Sequence, residues 1–133
     1  RADYQLTDYV IYNLFPSNVI TVGPDGVQLL RSRPHPTDPA QCLFDHWWLV
    51  NRVEGQDMTP SPAGGPDLPV ADAPHEHIQY GEKTLGTVAD QDLSIAEMQQ
   101  KGLASAGYQG YWMSHQERRV QAFHEHLNDL MSD

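Results

Sequence analysis

Between Val53 and Glu82 the chain loses every trace of periodicity. Pro60, Pro62, Pro66, Pro69 and Pro74 crowd around Gly64 and Gly65 among acidic residues. Proline removes a backbone donor and fixes φ, and glycine weakens any regular element, so no helix or central strand runs through this stretch. A 133-residue chain with such an interruption is divided into a part before it and a part after it, and the two read differently. The segment itself is expected to be structureless, serving either as a lid or as a disordered linker.

The part before it reads as strands, over about residues 8–50. Tyr9 to Phe15 is rich in β-branched and aromatic residues, and Asn18 to Val22 follows. Gly23-Pro24-Asp25-Gly26 then supplies a turn into Val27 to Ser32. A second turn, Arg33 to Pro39, leads into Gln41 to Val50 with Phe44, Trp47 and Trp48. The expectation is an antiparallel meander with a helix against it.

The part after it reads as helices, over about residues 86–104 and 114–131. Ser94 with Glu97, and Ser114 with Glu117, both have the S-x-x-E spacing of a capping box. Val120, Phe123, Leu127 and Leu130 form one stripe of the second helix. Four strands followed by two helices give an α+β class, an antiparallel sheet packed against C-terminal helices.

Composition narrows the function classes. The net charge is −10, with 8 Lys and Arg against 18 Asp and Glu, a sign that repels phosphate backbones and anionic lipids. No nucleic acid and no membrane are expected as partners. No apolar run approaches the roughly 20 residues that span a bilayer, and the start of the chain lacks the apolar stretch of a signal peptide. The reading is a soluble, cytoplasmic protein. Hydrophobic residues make up 39% of it, enough for a modest core. Cys42 is the only cysteine, which excludes a disulfide framework and any cysteine-ligated cluster, and its apolar neighbours suggest a buried structural thiol.

One acidic residue stands out. At helical spacing Asp92 shares a face with Ile95, Ala96, Gln99 and Leu103, which aims its side chain toward the interior. A buried carboxylate needs a cation, a metal or several hydrogen bonds to offset its lost hydration. Two readings stay open on the residues alone: Asp92 caps the helix, or it is a metal ligand, with Ser94 and Glu97 starting the helix without it.

The seven histidines add less. His75 and His77 alternate in the loop, so an H-x-H metal pair is geometrically allowed, though solvated loop histidines are the simpler reading. His124 and His126 diverge by about 200° on a helix and make no chelating pair, with His124 expected to border the core stripe. His35, His46 and His115 have no partner at metal-ligand spacing and read as structural or surface residues.

Residues 85–131 carry a resemblance. Gln91-Asp92, then Gln100-Lys101-Gly102-Leu103, then Ser114 to Glu117 and Phe123-His124 follow one another at the spacing seen at the C-terminal end of the oxygenase (alpha) subunit of Rieske non-haem iron ring-hydroxylating oxygenases. Upstream, Asn13-Leu14-Phe15-Pro16-Ser17-Asn18 is similar to that family's Phe-Pro-Asn strand, and Arg33-Pro34 with Asp38-Pro39 resembles its strand-connecting turn.

The resemblance implies that Asp92 is the carboxylate of a 2-His-1-carboxylate site for mononuclear Fe(2+), with Asp90 the fallback, and it tips the choice for Asp92 from cap to ligand. It further implies that Asn13, Phe15, Asn18 and Ile20 line the substrate cavity, and that the fold is part of a helix-grip (Bet v 1-like, START-like) domain. An aromatic or related apolar substrate would be oxidised with O2 and with electrons from NAD(P)H, delivered by a reductase, often with a ferredoxin, through a [2Fe-2S] Rieske cluster.

No histidine precedes His35, and the chain lacks the cysteines of a Rieske cluster. Set beside the resemblance, the expectation is the C-terminal portion of a catalytic domain, inactive alone, and the resemblance implies a homotrimer for the complete subunit. The alternative from another class is a non-enzymatic lipid or small-ligand binding module on the same fold, with Asp92 a plain cap.

Overall fold

The computed structural model describes residues 7–24, 26–59, 67–71 and 75–132. They fall into two units, one made of Arg1–Asn51 with Tyr111–Asp133 and the other of Arg52–Gly110.

The first unit is built on a four-stranded antiparallel meander, β1 (Val10–Leu14), β2 (Asn18–Val22), β3 (Gly26–Pro34) and β4 (Cys42–Val50), in the order β1-β2-β3-β4. Short turns join neighbours, which is the low-entropy way to pair consecutive strands. Gly23 N–H donates to the Gly26 carbonyl at 2.9 Å across the β2–β3 turn. Gly26 is buried, and a Cβ there would collide with the Leu49 carbonyl oxygen of β4. Only glycine lets the two backbones approach so closely. At the β3–β4 turn, His35 Nδ1 accepts the Asp38 N–H at 3.1 Å, and Asp38 accepts from Ala40 N–H at 2.9 Å and Gln41 Nε2 at 2.7 Å.

Register sorts the side chains, because directly paired residues share a face. One face carries the rows Ile11–Thr21–Gln28–Trp48 and Asn13–Val19–Leu30–His46. The other carries Val10–Val22–Val27–Leu49, Tyr12–Ile20–Leu29–Trp47 and Leu14–Asn18–Arg31–Asp45. These are called the His46 face and the Asp45 face below.

The same unit ends in a 3-10 turn, His115–Glu117, leading into α2 (Arg118–Met131). Ser114 N–H donates to Glu117 Oε2 at 2.6 Å and closes the expected capping box. Phe123 and Leu127 are the half-buried residues of α2. Phe15, in the β1–β2 turn beside a cis Phe15–Pro16 bond, meets Phe123 at 5.3 Å between ring centroids and His126 edge-on at 4.6 Å. His124 borders the stripe as expected, edge-on to Phe123 at 5.4 Å and 6.3 Å from Tyr111, and His126 joins it from the Phe15 side.

The second unit holds α1 (Thr87–Leu103) and a small hairpin of β5 (Met58–Thr59) and β6 (Leu68–Pro69). The hairpin corrects the expectation that 53–82 is structureless: Met58 pairs with Pro69 and Thr59 with Leu68, and Val70 N–H donates to the Asp57 carbonyl at 2.9 Å. Pro69 is tolerated because a two-strand ladder asks few donors of it. Residues 60–66 and 72–74, which hold Pro60, Pro62, Pro66 and Pro74, lie outside the described residues.

Among the described residues no hydrophobic side chain is buried. Cys42 is exposed, contrary to the buried thiol expected, because it sits at the end of β4 opposite Pro34 and beyond the reach of β1 and β2. The sheet and helices are locally complete, while their apolar faces, with Leu49 at 62% and Ile11 at 58% exposure, remain open.

Candidate active-site residues

The head of α1 separates its two acids. Asp90 Oδ1 accepts the Leu85 N–H at 2.9 Å, and its Oδ2 accepts the Thr84 hydroxyl. Those bonds, the Thr84 one first, hold its carboxyl below the usual carboxylate range. Asp90 is the residue that fastens the chain entering the helix, whose N-cap, Gly86, offers no side chain. Its own N–H closes the first helical bond to the Gly86 carbonyl at 2.9 Å.

Asp92 lies well inside α1, five residues past Thr87, and its carboxylate forms no hydrogen bond or ion pair among the described residues. A cap must precede the helix, so Asp92 is not one; Asp90, also inside the helix, instead reaches back to hold the Thr84–Leu85 segment that leads into it. Ser94 and Glu97 do not start the helix either. The Ser94 hydroxyl donates back to the Gln91 carbonyl at 2.7 Å, and Glu97 accepts from Lys101 at 2.6 Å.

The expected inward turn of Asp92 is not seen within this chain. Asp92, Ile95, Gln99 and Leu103 are exposed, and the half-buried positions of α1 are Ala89, Asp90 and Leu93. Exposure here is general, because no residue of α1 is buried. Among the described residues of this unit nothing is laid across the stripe of Ile95 and Leu103.

The four sheet residues expected at a substrate cavity are divided. Asn13 is on the His46 face, Asn18 and Ile20 are on the Asp45 face, and Phe15 is in the turn with its ring against α2. Residues on opposite faces of one sheet cannot touch the same small molecule, so the register breaks the set into two.

Two constellations escaped the sequence reading. On the Asp45 face, Asp45 accepts from Arg33 Nε at 2.6 Å and Nη2 at 2.8 Å, and from Arg31 Nε at 2.9 Å, while the Arg31 guanidinium lies 5.0 Å from the Trp47 ring centroid. Arg33, then Arg31, hold the Asp45 carboxyl far below the ordinary range. On the His46 face, Gln28 Nε2 and His46 Nε2 are 3.0 Å apart, and burial pushes the His46 imidazolium down in pKa. Each joins residues 12 to 18 positions apart, a distance that only strand register bridges.

His75 and His77 stand with ring centroids 4.8 Å apart, as alternation expects, and both are exposed. Among the described residues, no group of three His, Cys, Asp or Glu can hold a metal. Among the described residues Asp92 offers a free carboxylate oxygen of the kind ferrous iron accepts, and no complete facial iron site is assembled.

Compared with protein-family models, residues 2–133 match the ring hydroxylating alpha subunit (catalytic domain). The chain belongs to that family. Searches of curated proteins and of solved structures returned no significant match. As a ring-hydroxylating alpha subunit domain it is an oxygenase-family chain, an oxidoreductase of a group that generally uses non-haem iron. Its four-stranded antiparallel sheet with C-terminal helices agrees with the α+β arrangement of that domain. No helix among the described residues of this alpha subunit domain is long and apolar enough to cross a membrane.

Proposed function

We propose that this chain is the C-terminal portion of the catalytic domain of a Rieske-type oxygenase subunit, in a helix-grip fold, and that Asp92 is its carboxylate ligand to mononuclear Fe(2+). The observation that carries the assignment is the division of labour at α1: Asp90 is engaged by Thr84 and Leu85, while Asp92 is free. A metal ligand must keep its oxygens available, and a carboxylate oxygen suits ferrous iron. The remaining protein donors come from polypeptide outside this chain, together with a [2Fe-2S] Rieske cluster supplied with electrons from NAD(P)H by a reductase or ferredoxin. The complete cytoplasmic subunit is a homotrimer.

Iron bound at such a site supplies activation of O2 toward an aromatic or related apolar substrate. Asp92 contributes negative charge and one donor oxygen and takes no proton. The apolar rows of the sheet contribute a surface that excludes water from an aromatic ring. Of the expected substrate contacts, Asn13 offers an amide on the His46 face, Asn18 and Ile20 serve the opposite face, and Phe15 anchors the β1–β2 turn to α2.

The test is made on the complete subunit with its electron-transfer partners. Aromatic substrates are expected to stimulate O2 uptake with matching hydroxylated product, and Asp92→Ala is expected to abolish both along with bound iron. A D92A protein that keeps stoichiometric iron overturns the assignment. The 133-residue chain alone is expected to bind iron poorly and to oxidise nothing.

A further inference from the structure

The two faces of the sheet treat their polar groups differently. On the Asp45 face the charges neutralise one another, with both arginines turned onto Asp45. On the His46 face a polar pair stands beside apolar residues: His46 shares its row with Val19, Leu30 and, at the far edge, Asn13, Thr21 pairs with Gln28, and Phe44 and Trp48 lie two residues to either side on β4.

A glutamine amide nitrogen can only donate, so the Gln28 contact makes His46 Nε2 the acceptor and leaves the proton on Nδ1. Burial favours the neutral ring. Nδ1–H therefore remains as a fixed donor with no acceptor among the described residues. Once apolar surface covers it, such a donor is costly unless an acceptor arrives with the cover.

We propose that His46, oriented by Gln28, determines substrate specificity by donating Nδ1–H to an acceptor oxygen, a carboxylate or carbonyl, carried on the ring of an aromatic substrate bound against the His46 face. This rests on the oxygenase reading given above and names the substrate class within it: arenes bearing an oxygen substituent, preferred over plain hydrocarbons. Trp48 and Phe44 supply the apolar wall, and Gln28 acts as a positioning residue through His46.

The experiment compares naphthalene, 2-naphthoate and 2-acetylnaphthalene as ligands of the complete subunit by equilibrium dialysis, with product formation followed in parallel. The wild-type protein is expected to hold at least one oxygenated arene about tenfold or more tighter than naphthalene. His46→Leu is expected to collapse that ratio toward one, and His46→Asn, which keeps an N–H near the Nδ1 position, to retain most of it. Gln28→Leu leaves the imidazole in place and is expected to lower the ratio several-fold, which keeps the test decisive if His46→Leu does not fold. No preference in the wild type, or a preference that survives both His46→Leu and Gln28→Leu, overturns the proposal. Oxidation of arenes without the preference sinks this proposal alone. The preference without any oxidised product sinks the oxygenase reading and leaves the recognition standing.

Discussion

The sheet and the α1 segment solve opposite problems. In the sheet the charged groups answer to neighbours inside the chain: Asp45 to two arginines on one face, and His46, through one ring nitrogen, to Gln28 on the other. In α1 the acid that matters answers to nothing, while the acid two residues before it is fully engaged. A face whose charges neutralise one another, as Asp45, Arg31 and Arg33 do, is built for shape. α1 leaves a carboxylate free beside open apolar residues, Ile95 at 42% and Leu103 at 38% exposure, which the proposed iron site would complete.

The sharpest way to break that contrast is to exchange the two acids of α1 in the complete subunit. Asp92→Asn is expected to lower iron affinity and turnover by more than a hundredfold, since even residues behind metal ligands are worth about 10–100-fold. Asp90→Asn is expected to leave iron in place and to speed amide exchange at Leu85 and the first turn of α1. Iron loss from D90N with retention in D92N would reverse the roles and make Asp90 the ligand.

Next in size is Gly26→Ala. Its methyl group meets the Leu49 carbonyl, so β3 and β4 must separate locally, at a cost of about 1–3 kcal/mol. Thermal unfolding of the intact subunit measures it, and an unchanged midpoint would show that the close approach is unimportant.

Asp45→Asn comes third, with a loss of about 1–2 kcal/mol once the solvent exposure of both arginines is allowed for. The sign with pH follows from the depressed pKa. Asp45 stabilises the fold above the ordinary carboxylate range, and that contribution fades only as pH falls through the folded value, well below that range. Acidification should therefore erode the stability difference between wild type and D45N, with the two converging only in strong acid, as paired melts at descending pH would show. His46 also loses stability on acidification, but earlier, since its ring charges more readily unfolded than folded.

Local chemistry explains what the sequence made legible. The meander followed from β-branched runs between turn residues, and β4 was visible from Phe44, Trp47 and Trp48 alone. The start of α2 followed from Ser114 and Glu117. Register was not legible, because nothing local says which residue of β1 faces which residue of β2. That is why Asn13 and Asn18 were grouped although they occupy opposite faces, and why the His46 and Asp45 constellations went unseen. Asp92 was singled out from periodicity, which gives a helix face but not what covers it. Its freedom from capping became visible only when α1 was found to begin at Thr87 with Asp90 reaching back to Leu85.

The two S-x-x-E sequences offer the smallest and most discriminating comparison, because one pattern has two structural meanings here. At Ser114 the box is closed by the Glu117 carboxylate on the Ser114 N–H, and Ser114→Ala is expected to cost about 1 kcal/mol. At Ser94 the same spacing falls inside α1, where the hydroxyl bonds back to the Gln91 carbonyl. Back-bonding of that kind slightly disfavours the helix, and alanine is the better helix former by a few tenths of a kcal/mol. Ser94→Ala is thus expected to be neutral or slightly stabilising, the opposite sign. Paired thermal melts of the two variants decide it. A loss at Ser94 matching that at Ser114 would mean that α1 begins later than Thr87 and would return Asp92 to the head of its helix as a cap.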